Sequence, residues 1–295
     1  MRASLIATAL AFWSLAQAQQ VQPSGDLRDL RARDADHVAG LAGDKGAHAT
    51  AGRITVHVPA GAMSSAELTA LAERLNRGFD GLISFTHSPR DWQRVPQTLD
   101  YFFHADMLIS HADPFANRVF IAFPRLQSGQ APVLHEATHV LLFPSREYIA
   151  AHPEIFDPKV KGSTWLGEGL ASYVGFSAAK QTGVVEGDPL SGETLDDVDA
   201  NCARALASPA GPEIAPYIGA PGEPDALMSR ERRLQVAPGF YSCATSFTKF
   251  VAEKIGIVAL IDSLIAIDSE AQIAKSAGTD VAALRAAWRD KIGAN

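Results

Sequence analysis

Two histidines and a glutamate form a motif whose spacing is typical of metal chemistry. The run from Val133 to His139 contains the pattern His135-Glu136-x-x-His139. On a helix, side chains four residues apart project from one face, so both imidazoles can reach a single metal ion. Glu136 lies beside them and can act on a water molecule. Two neutral imidazoles plus a carboxylate favour Zn²⁺ and leave a fourth position open, so the motif predicts one zinc ion at a hydrolytic site.

The neighbouring residues predict that this motif lies on a buried helix. Pro132 is tolerated in the first helical turn, and Pro144 is expected to stop the helix. Apolar residues surround the motif, namely Val133, Leu134, Ala137, Val140 and Leu141. Polar groups in such dry surroundings need partners, and a metal ion is one. The alternative is two partly buried helix histidines and a surface glutamate with no metal.

A catalytic zinc ion usually has three protein ligands, so one more is expected outside the motif. A further Gly and His shortly after the second His would define a metzincin, but Leu142 and Ser145 occupy those positions. That arrangement is therefore excluded. The remaining candidates for the third ligand are Glu147, His152, Glu154 and Glu168.

The surroundings of Glu168 favour it among these candidates. It lies in the run Trp165-Leu166-Gly167-Glu168-Gly169-Leu170-Ala171. Together with the upstream motif, this run resembles the gluzincin metallopeptidases, the group of thermolysin and aminopeptidase N, in which a WLxEGxA-type helix carries the zinc-binding glutamate. The resemblance implies zinc ligands at His135, His139 and Glu168, with Glu136 as the general base. It is specific at these two motifs and diffuse elsewhere.

The resemblance also implies a fold. It predicts an α+β protein of two lobes, with an N-terminal mixed sheet that carries the active-site helix, a C-terminal helical lobe and a cleft between them. In gluzincins the strand before the zinc helix pairs with the substrate backbone, and here that strand is expected over 119–123. An ordinary sheet edge is an equally good interpretation of this strand.

Three features depart from the gluzincin pattern. The spacing from His139 to Glu168 is longer than in the aminopeptidases, which implies an inserted loop. Ser172 stands where some gluzincins have an aspartate that orients a ligand histidine. The Gly-rich exopeptidase motif of the aminopeptidases is absent, so trimming of free amino termini is not supported.

Peptide hydrolysis also needs a donor for the negative charge that develops on the carbonyl oxygen. The resemblance implies a Tyr or His downstream of Glu168, and the downstream tyrosines are Tyr173, Tyr217 and Tyr241. Tyr173 shares the Glu168 helix and is expected to point away from the metal. We favour Tyr241, which is expected to begin a helix held by a disulfide at Cys243. A capping or core tyrosine is the alternative for Tyr241.

The first residues predict export. Arg2 is followed by a short apolar core over 4–15 and by the small-residue site Ala16-Gln17-Ala18, as in a signal peptide that ends at residue 18. The core is too short to anchor the chain in a bilayer. We therefore expect a mature protein in a bacterial periplasm or outside the cell, with no membrane anchor.

The two cysteines and the charge add to this interpretation. In an exported protein, Cys202 and Cys243 are expected to form one disulfide, the alternative being two buried thiols. The formal net charge of −7 argues against non-specific nucleic-acid binding. The gluzincin resemblance implies that the partner is a peptide or protein substrate, and the oligomeric state stays open.

The pattern of apolar and turn residues predicts three regions after the signal segment. We expect a mobile arm over 19–52, an α/β lobe with the motif helix over 53–145, and a mainly helical lobe over 146–295. Within the last region, residues 181–239 are rich in Pro and Gly, which predicts a long irregular loop.

Two local predictions concern the α/β lobe. A capping box at Ser64 and Glu67 begins a helix that is expected to end at Gly78. The apolar run over 82–85 is then expected to be a strand.

The predicted function is that of an exported zinc-dependent metalloendopeptidase-like hydrolase. Two alternatives stay open, a catalytically silent zinc-containing binding protein and a zinc amidohydrolase of a non-peptide amide. The presence of Glu136 argues against the silent protein, because zinc binding alone does not need this residue.

Overall fold

A computed structural model describes residues 27–105, 110–156, 163–187, 194–221 and 230–294. The predicted signal segment, residues 1–18, lies outside the described residues. The described chain divides into two compact units. The first contains the described residues of 27–143 and 174–187, and the second contains the described residues of 144–173 and 194–294. Helices and one mixed sheet make this an α+β protein, as the sequence predicts.

The sheet belongs to the first unit. Its strands are β1 (Gly46–Ala51), β2 (Ile54–Pro59), β3 (Leu99–His104), β4 (His111–Asp113) and β5 (Arg118–Ala122). Their order is β1-β2-β3-β5-β4. The three inner strands run parallel, and β1 and β4 lie antiparallel to their neighbours at the two edges. Strand alternation places Tyr101 and Phe103 on one face of the sheet and Phe102 on the other.

The strand before the motif helix is not at an edge of this sheet. β5 pairs with β3 on one side and with β4 on the other, and Phe123 already begins helix α3 (Phe123–Gln127). Residues 118–120 are therefore paired on both sides, so neither the expected substrate-binding edge nor the alternative of an ordinary sheet edge holds for that part of the strand. β4 has three residues, too few for its alternation to be recognised in the sequence.

The region that was predicted to be a mobile arm contains regular structure. Its described part forms helix α1 (Leu27–Ala42) and strand β1, which pairs with β2 along its whole length. Leu41 and Val38 of the helix pack on Phe102 and Phe120 of the sheet. The prediction failed because the many small and polar residues of this region form structure only through contact with the sheet.

Helix α2 (Ser65–Thr86) begins with the predicted capping box at Ser64 and Glu67. The predicted end at Gly78 and the predicted strand over 82–85 are wrong, because Phe79 and Leu82 continue the buried face of the helix. Gly78 serves close packing instead. A Cβ atom at Gly78 would lie 2.7 Å from the side chain of Leu134 on helix α4 (Val133–Leu141), which contains the motif.

The second unit is helical. It contains α5 (Arg146–Ala151), the first part of α6 (Thr164–Thr182), α7 (Val198–Ala207), α8 (Gly211–Ile214), α9 (Arg230–Ile255), α10 (Ile257–Ser263), α11 (Ser269–Ala277) and α12 (Val281–Ile292). Phe247 lies at the centre of its core, with ring centroids 5.0 Å from Trp165 and 5.2 Å from Trp288. Among the described residues, no helix is both long and apolar enough to cross a membrane.

The predicted irregular loop over 181–239 contains helices α7 and α8 and the start of α9. Pro212 lies in the first turn of α8, where a missing N–H costs little, and Pro238 lies inside α9 without ending it.

The predicted disulfide is confirmed. It joins Cys202 of α7 to Cys243 of α9, with Cα atoms 4.6 Å apart.

Candidate metal centre

The two motif histidines converge on one point. The Nε2 atoms of His135 and His139 are 3.1 Å apart, and their rings are nearly perpendicular, at 77°. Two Zn–N bonds of about 2.0–2.1 Å at a tetrahedral angle would place the nitrogens roughly 3.3–3.4 Å apart. The geometry therefore fits two ligands of one zinc ion. An N–H···N hydrogen bond between the rings would give a similar distance, so metal content distinguishes the two interpretations.

Glu136 completes the group. The ligand-type atoms of His135, Glu136 and His139 all lie within 4.8 Å of one another, and among the described residues this is the group that could hold a metal ion. Glu136 is 1% exposed and His135 is 2% exposed. Burying a carboxylate costs free energy unless it has a partner, so a buried glutamate beside two converging imidazoles favours a functional site.

Both ends of helix α4 are tied to neighbouring side chains. The Tyr101 hydroxyl of β3 donates a hydrogen bond to the carbonyl oxygen of Val133, at 3.1 Å. At the other end, the Gln93 side-chain amide donates to the carbonyl oxygen of Leu141, also at 3.1 Å. These bonds fix the motif helix against the first unit's core.

The environment of Tyr101 keeps its hydroxyl protonated. Burial raises the pKa of Tyr101 well above its ordinary value, and the nearby carboxylates of Glu186 and Glu136 raise this pKa further. A protonated hydroxyl can donate to the Val133 carbonyl throughout the neutral pH range.

The N-terminus of α4 is capped by a residue that no motif in the sequence indicates. Pro132 at the N-cap position has no side chain that can accept a hydrogen bond. The carboxylate of Glu186 accepts instead, from the N–H of Leu134 at 2.7 Å and from the N–H of His135 at 2.8 Å. Only the missing capping residue before Val133 could have signalled such a partner, and nothing in the sequence indicates which residue it is.

Helix α6 approaches the same turn of α4 through a glycine. A Cβ atom at Gly175 would lie 3.0 Å from the backbone nitrogen of His135 and 3.3 Å from its Cα atom. This is tighter than ordinary van der Waals contact, so Gly175 allows the two helices to meet at the backbone of His135.

Glu168 lies on the part of α6 that belongs to the second unit, and it is 5% exposed. The residues around it have packing roles there. Trp165 is fully buried and contacts Phe247, and a Cβ atom at Gly169 would lie 2.5 Å from the backbone oxygen of Ala244. The role of Glu168 as third ligand stays a prediction.

The other candidates for the third ligand lie at the surface of the second unit. Glu147 is an exposed residue of α5. His152 and Glu154 pair with each other, with Nδ1 and Oε1 3.0 Å apart, and both side chains are more than two-fifths exposed. These environments are ordinary for surface residues.

All three candidate tyrosines lie in the second unit. Tyr241 is buried in the middle of α9, so the expectation that it begins a helix is wrong. Tyr217 is half-buried at the end of a 3-10 turn. Burial, and secondarily the charge of Glu253, raises the pKa of Tyr173. The assignment of Tyr241 as the oxyanion donor stays a prediction.

No protein family, no curated protein and no solved structure shows a significant match to this chain. The gluzincin resemblance therefore stays a prediction that rests on the two motifs.

Proposed function

We propose that this chain is an exported zinc metallopeptidase that hydrolyses peptide bonds with Glu136 as the general base. The observation that carries the proposal is the 3.1 Å approach of the His135 and His139 Nε2 atoms beside a carboxylate that is 1% exposed. The same residues would serve for hydrolysis of any amide, and the peptide bond is the substrate that the motif resemblance favours.

In this proposal, His135, His139 and Glu168 hold the zinc ion. When bound, zinc supplies a Lewis acid that lowers the pKa of water towards neutrality. The WLxEGxA-type run around Glu168, which resembles the gluzincin pattern, is the observation that supports Glu168 as the third ligand.

Glu136 performs the proton transfers. It accepts a proton from the water that attacks the carbonyl carbon, and it returns the proton to the leaving amine when the C–N bond breaks. A tyrosine hydroxyl donates to the carbonyl oxygen as negative charge develops there, and Tyr241 is our candidate, with Tyr217 and Tyr173 as alternatives.

Two further parts of the proposal rest on the sequence. The motif resemblance supports a gluzincin-like arrangement of an α/β lobe and a helical lobe. The disulfide between Cys202 and Cys243 supports export, because disulfides persist in oxidising compartments such as the periplasm or the extracellular space.

The test measures zinc content and hydrolysis of a broad peptide library. Wild type is expected to hold about one zinc ion per chain, and the double variant His135→Ala/His139→Ala to hold almost none. Glu136→Gln should keep its zinc and its fold but lose about 100- to 10,000-fold in hydrolysis rate, because the base is removed. Glu73→Gln, at an exposed glutamate of α2, is the matched control and should change neither quantity.

Two results would overturn the proposed roles of the motif residues, and a third would overturn the peptide substrate. One is full zinc content in the double histidine variant. The other is hydrolysis by Glu136→Gln at the wild-type rate. If wild type binds zinc but cleaves no peptide, a non-peptide amide or a silent binding protein replaces the peptidase.

A further inference from the structure

Glu186 binds the backbone of His135, the first predicted zinc ligand, from 51 residues further along the chain. Its two carboxylate oxygens accept separate hydrogen bonds, one from the N–H of Leu134 and one from the N–H of His135. These N–H groups belong to the first turn of α4, which has no intrahelical acceptors for them. A negative charge at this end of a helix is also favourable, because the peptide dipoles leave the N-terminus partly positive.

The residues on both sides of Glu186 are also held in place by contacts near the N-terminus of α4. We call residues 184–187 the capping segment. The N–H of Gly187 donates to the carbonyl oxygen of Ala131, at 3.1 Å, and a Cβ atom at Gly187 would lie 2.4 Å from the backbone of Gln130. The side chain of Val184 lies close to Gly78 of α2. Glu186 is therefore placed by its neighbours and is not a surface side chain that bends over by chance.

The capping segment follows directly after helix α6. That helix ends at Thr182, and Gly183 adopts φ of 71°, a left-handed conformation that glycine allows without strain. The same stretch of chain thus contacts His135 twice, through the close approach at Gly175 and through the hydrogen bond from its N–H to Glu186.

We propose that Glu186 is a positioning residue for the metal centre, which sets the place of His135 by capping helix α4. This inference rests on the proposed zinc site. It adds that zinc affinity depends on a carboxylate that binds no metal and touches no substrate. If α4 is uncapped, its first turn frays, and the imidazole of His135 spends less time at 3.1 Å from that of His139.

The test compares Glu186→Gln with Ser64→Ala. Glutamine keeps the length of the side chain but removes the charge, and its NH₂ group would face one of the two N–H donors. Ser64→Ala removes the N-cap of α2 in the same unit, so it is a matched control for loss of a helix cap. Two quantities are measured on the full chain, the zinc dissociation constant by chelator competition and amide hydrogen exchange over residues 133–139 in metal-free protein.

Glu186→Gln is expected to raise the zinc dissociation constant about tenfold, as loss of a residue that orients a ligand does. It should also speed amide exchange over 133–139. Ser64→Ala should lower the melting temperature and leave both quantities at wild-type values. Glu186→Ala, with both bonds removed, should exceed Glu186→Gln in both effects.

Three outcomes overturn the proposal. One is a wild-type zinc dissociation constant in Glu186→Gln. The second is an equal effect of Ser64→Ala, which would mean that only general stability matters. The third is unchanged exchange over 133–139 in both Glu186 variants. If wild type binds no zinc, the proposed function fails, and hydrogen exchange alone then decides whether Glu186 positions the backbone of His135.

Discussion

Glu168 and Glu136 are both buried glutamates, yet the proposal gives them different tasks. Glu168→Gln is expected to weaken zinc binding by at least about tenfold, because an amide oxygen is a poorer zinc ligand than a carboxylate. Chelator competition measures this affinity. Glu253→Gln, at an exposed residue of the same unit, is the control and should bind zinc as wild type does. Wild-type affinity in Glu168→Gln would move the third ligand to Glu147, His152 or Glu154.

Tyr101 predicts a dependence of stability on alkaline pH. Its pKa is raised in the folded protein, so folding favours the protonated form, and this contribution to stability is fully present below the ordinary value of 10.0. As the pH rises above that value, the unfolded chain releases the proton more readily, and the free energy of unfolding falls. Tyr101→Phe should reduce this fall in urea unfolding between about pH 9 and 11.

The same variant loses the hydrogen bond to the Val133 carbonyl, so its stability at pH 7 should drop by about 1 kcal/mol. Tyr217→Phe, at a half-buried tyrosine of the second unit, is the control. An identical alkaline fall in Tyr101→Phe and wild type would contradict the role of Tyr101.

For the residues of the site, the sequence predicts the contacts between neighbours on one helix. His135, Glu136 and His139 lie within two turns of one helix, so helical spacing alone predicts that they converge. Glu186 caps the same helix from 51 residues away, and its position depends on the path of α6 and on the packing of Gly187. No spacing rule contains such a contact.

Among the helices, α6 approaches the motif helix α4 closely at Gly175. Gly175→Ala should destabilise the protein by about 1–3 kcal/mol, because the added methyl group would overpack against the backbone of His135. Gly40→Ala in α1 is the matched control, since a Cβ atom there meets only the Lys45 side chain at 4.0 Å. Helix propensity should make the control neutral or up to about 1 kcal/mol more stable.

Thermal and urea unfolding of the two variants measure this difference. If Gly175→Ala is as stable as Gly40→Ala, the close approach of the two helices is not needed for folding. Zinc affinity, measured on the same two variants, shows whether a displacement of α6 by Gly175→Ala changes the position of His135.

The sequence predicts helices correctly where apolar residues repeat along one buried face. The predictions were wrong where a single glycine or proline was taken to end or exclude a helix. The capping box at Ser64 is local chemistry and is confirmed. Gly78 was taken as a helix end and the prolines up to Pro238 as marks of an irregular loop, but Gly78 and Pro238 lie inside helices. Gly78 is needed for packing on Leu134, and such a tertiary reason is not visible in the sequence around it. Strand β4 was missed because three residues contain too little alternation.

For the molecule as a whole, the disulfide predicts a measurable share of the stability. The two cysteines are separated by 41 residues, and chain entropy for a loop of this size corresponds to about 4 kcal/mol. Reduction should therefore lower the urea midpoint of the wild-type protein. The double variant Cys202→Ala/Cys243→Ala should have a low midpoint with or without reductant. Two alkylatable thiols in unreduced, exported protein would contradict the bond.

Neither compact unit is a continuous stretch of sequence. The chain leaves the first unit after residue 143 and returns to it at Val174, in the middle of α6. Division of the sequence at residue 145, as composition and motifs predicted, would separate α4 from Gly175 and Glu186. Sequence patterns predict the elements of each unit, but they do not show that a later segment completes an earlier one.

The separation along the chain between α4 and its capping residue also means that the two are synthesised at different times. A growing polypeptide gains about 5–20 residues each second, so the 51 residues between His135 and Glu186 correspond to roughly 3–10 s of synthesis. During that interval the motif belongs to a nine-residue helix without its capping carboxylate, which is too short to persist alone. If Glu186 has the proposed role, the two histidines are synthesised well before they can hold a metal ion firmly. Zinc uptake is then a late step in the maturation of the protein.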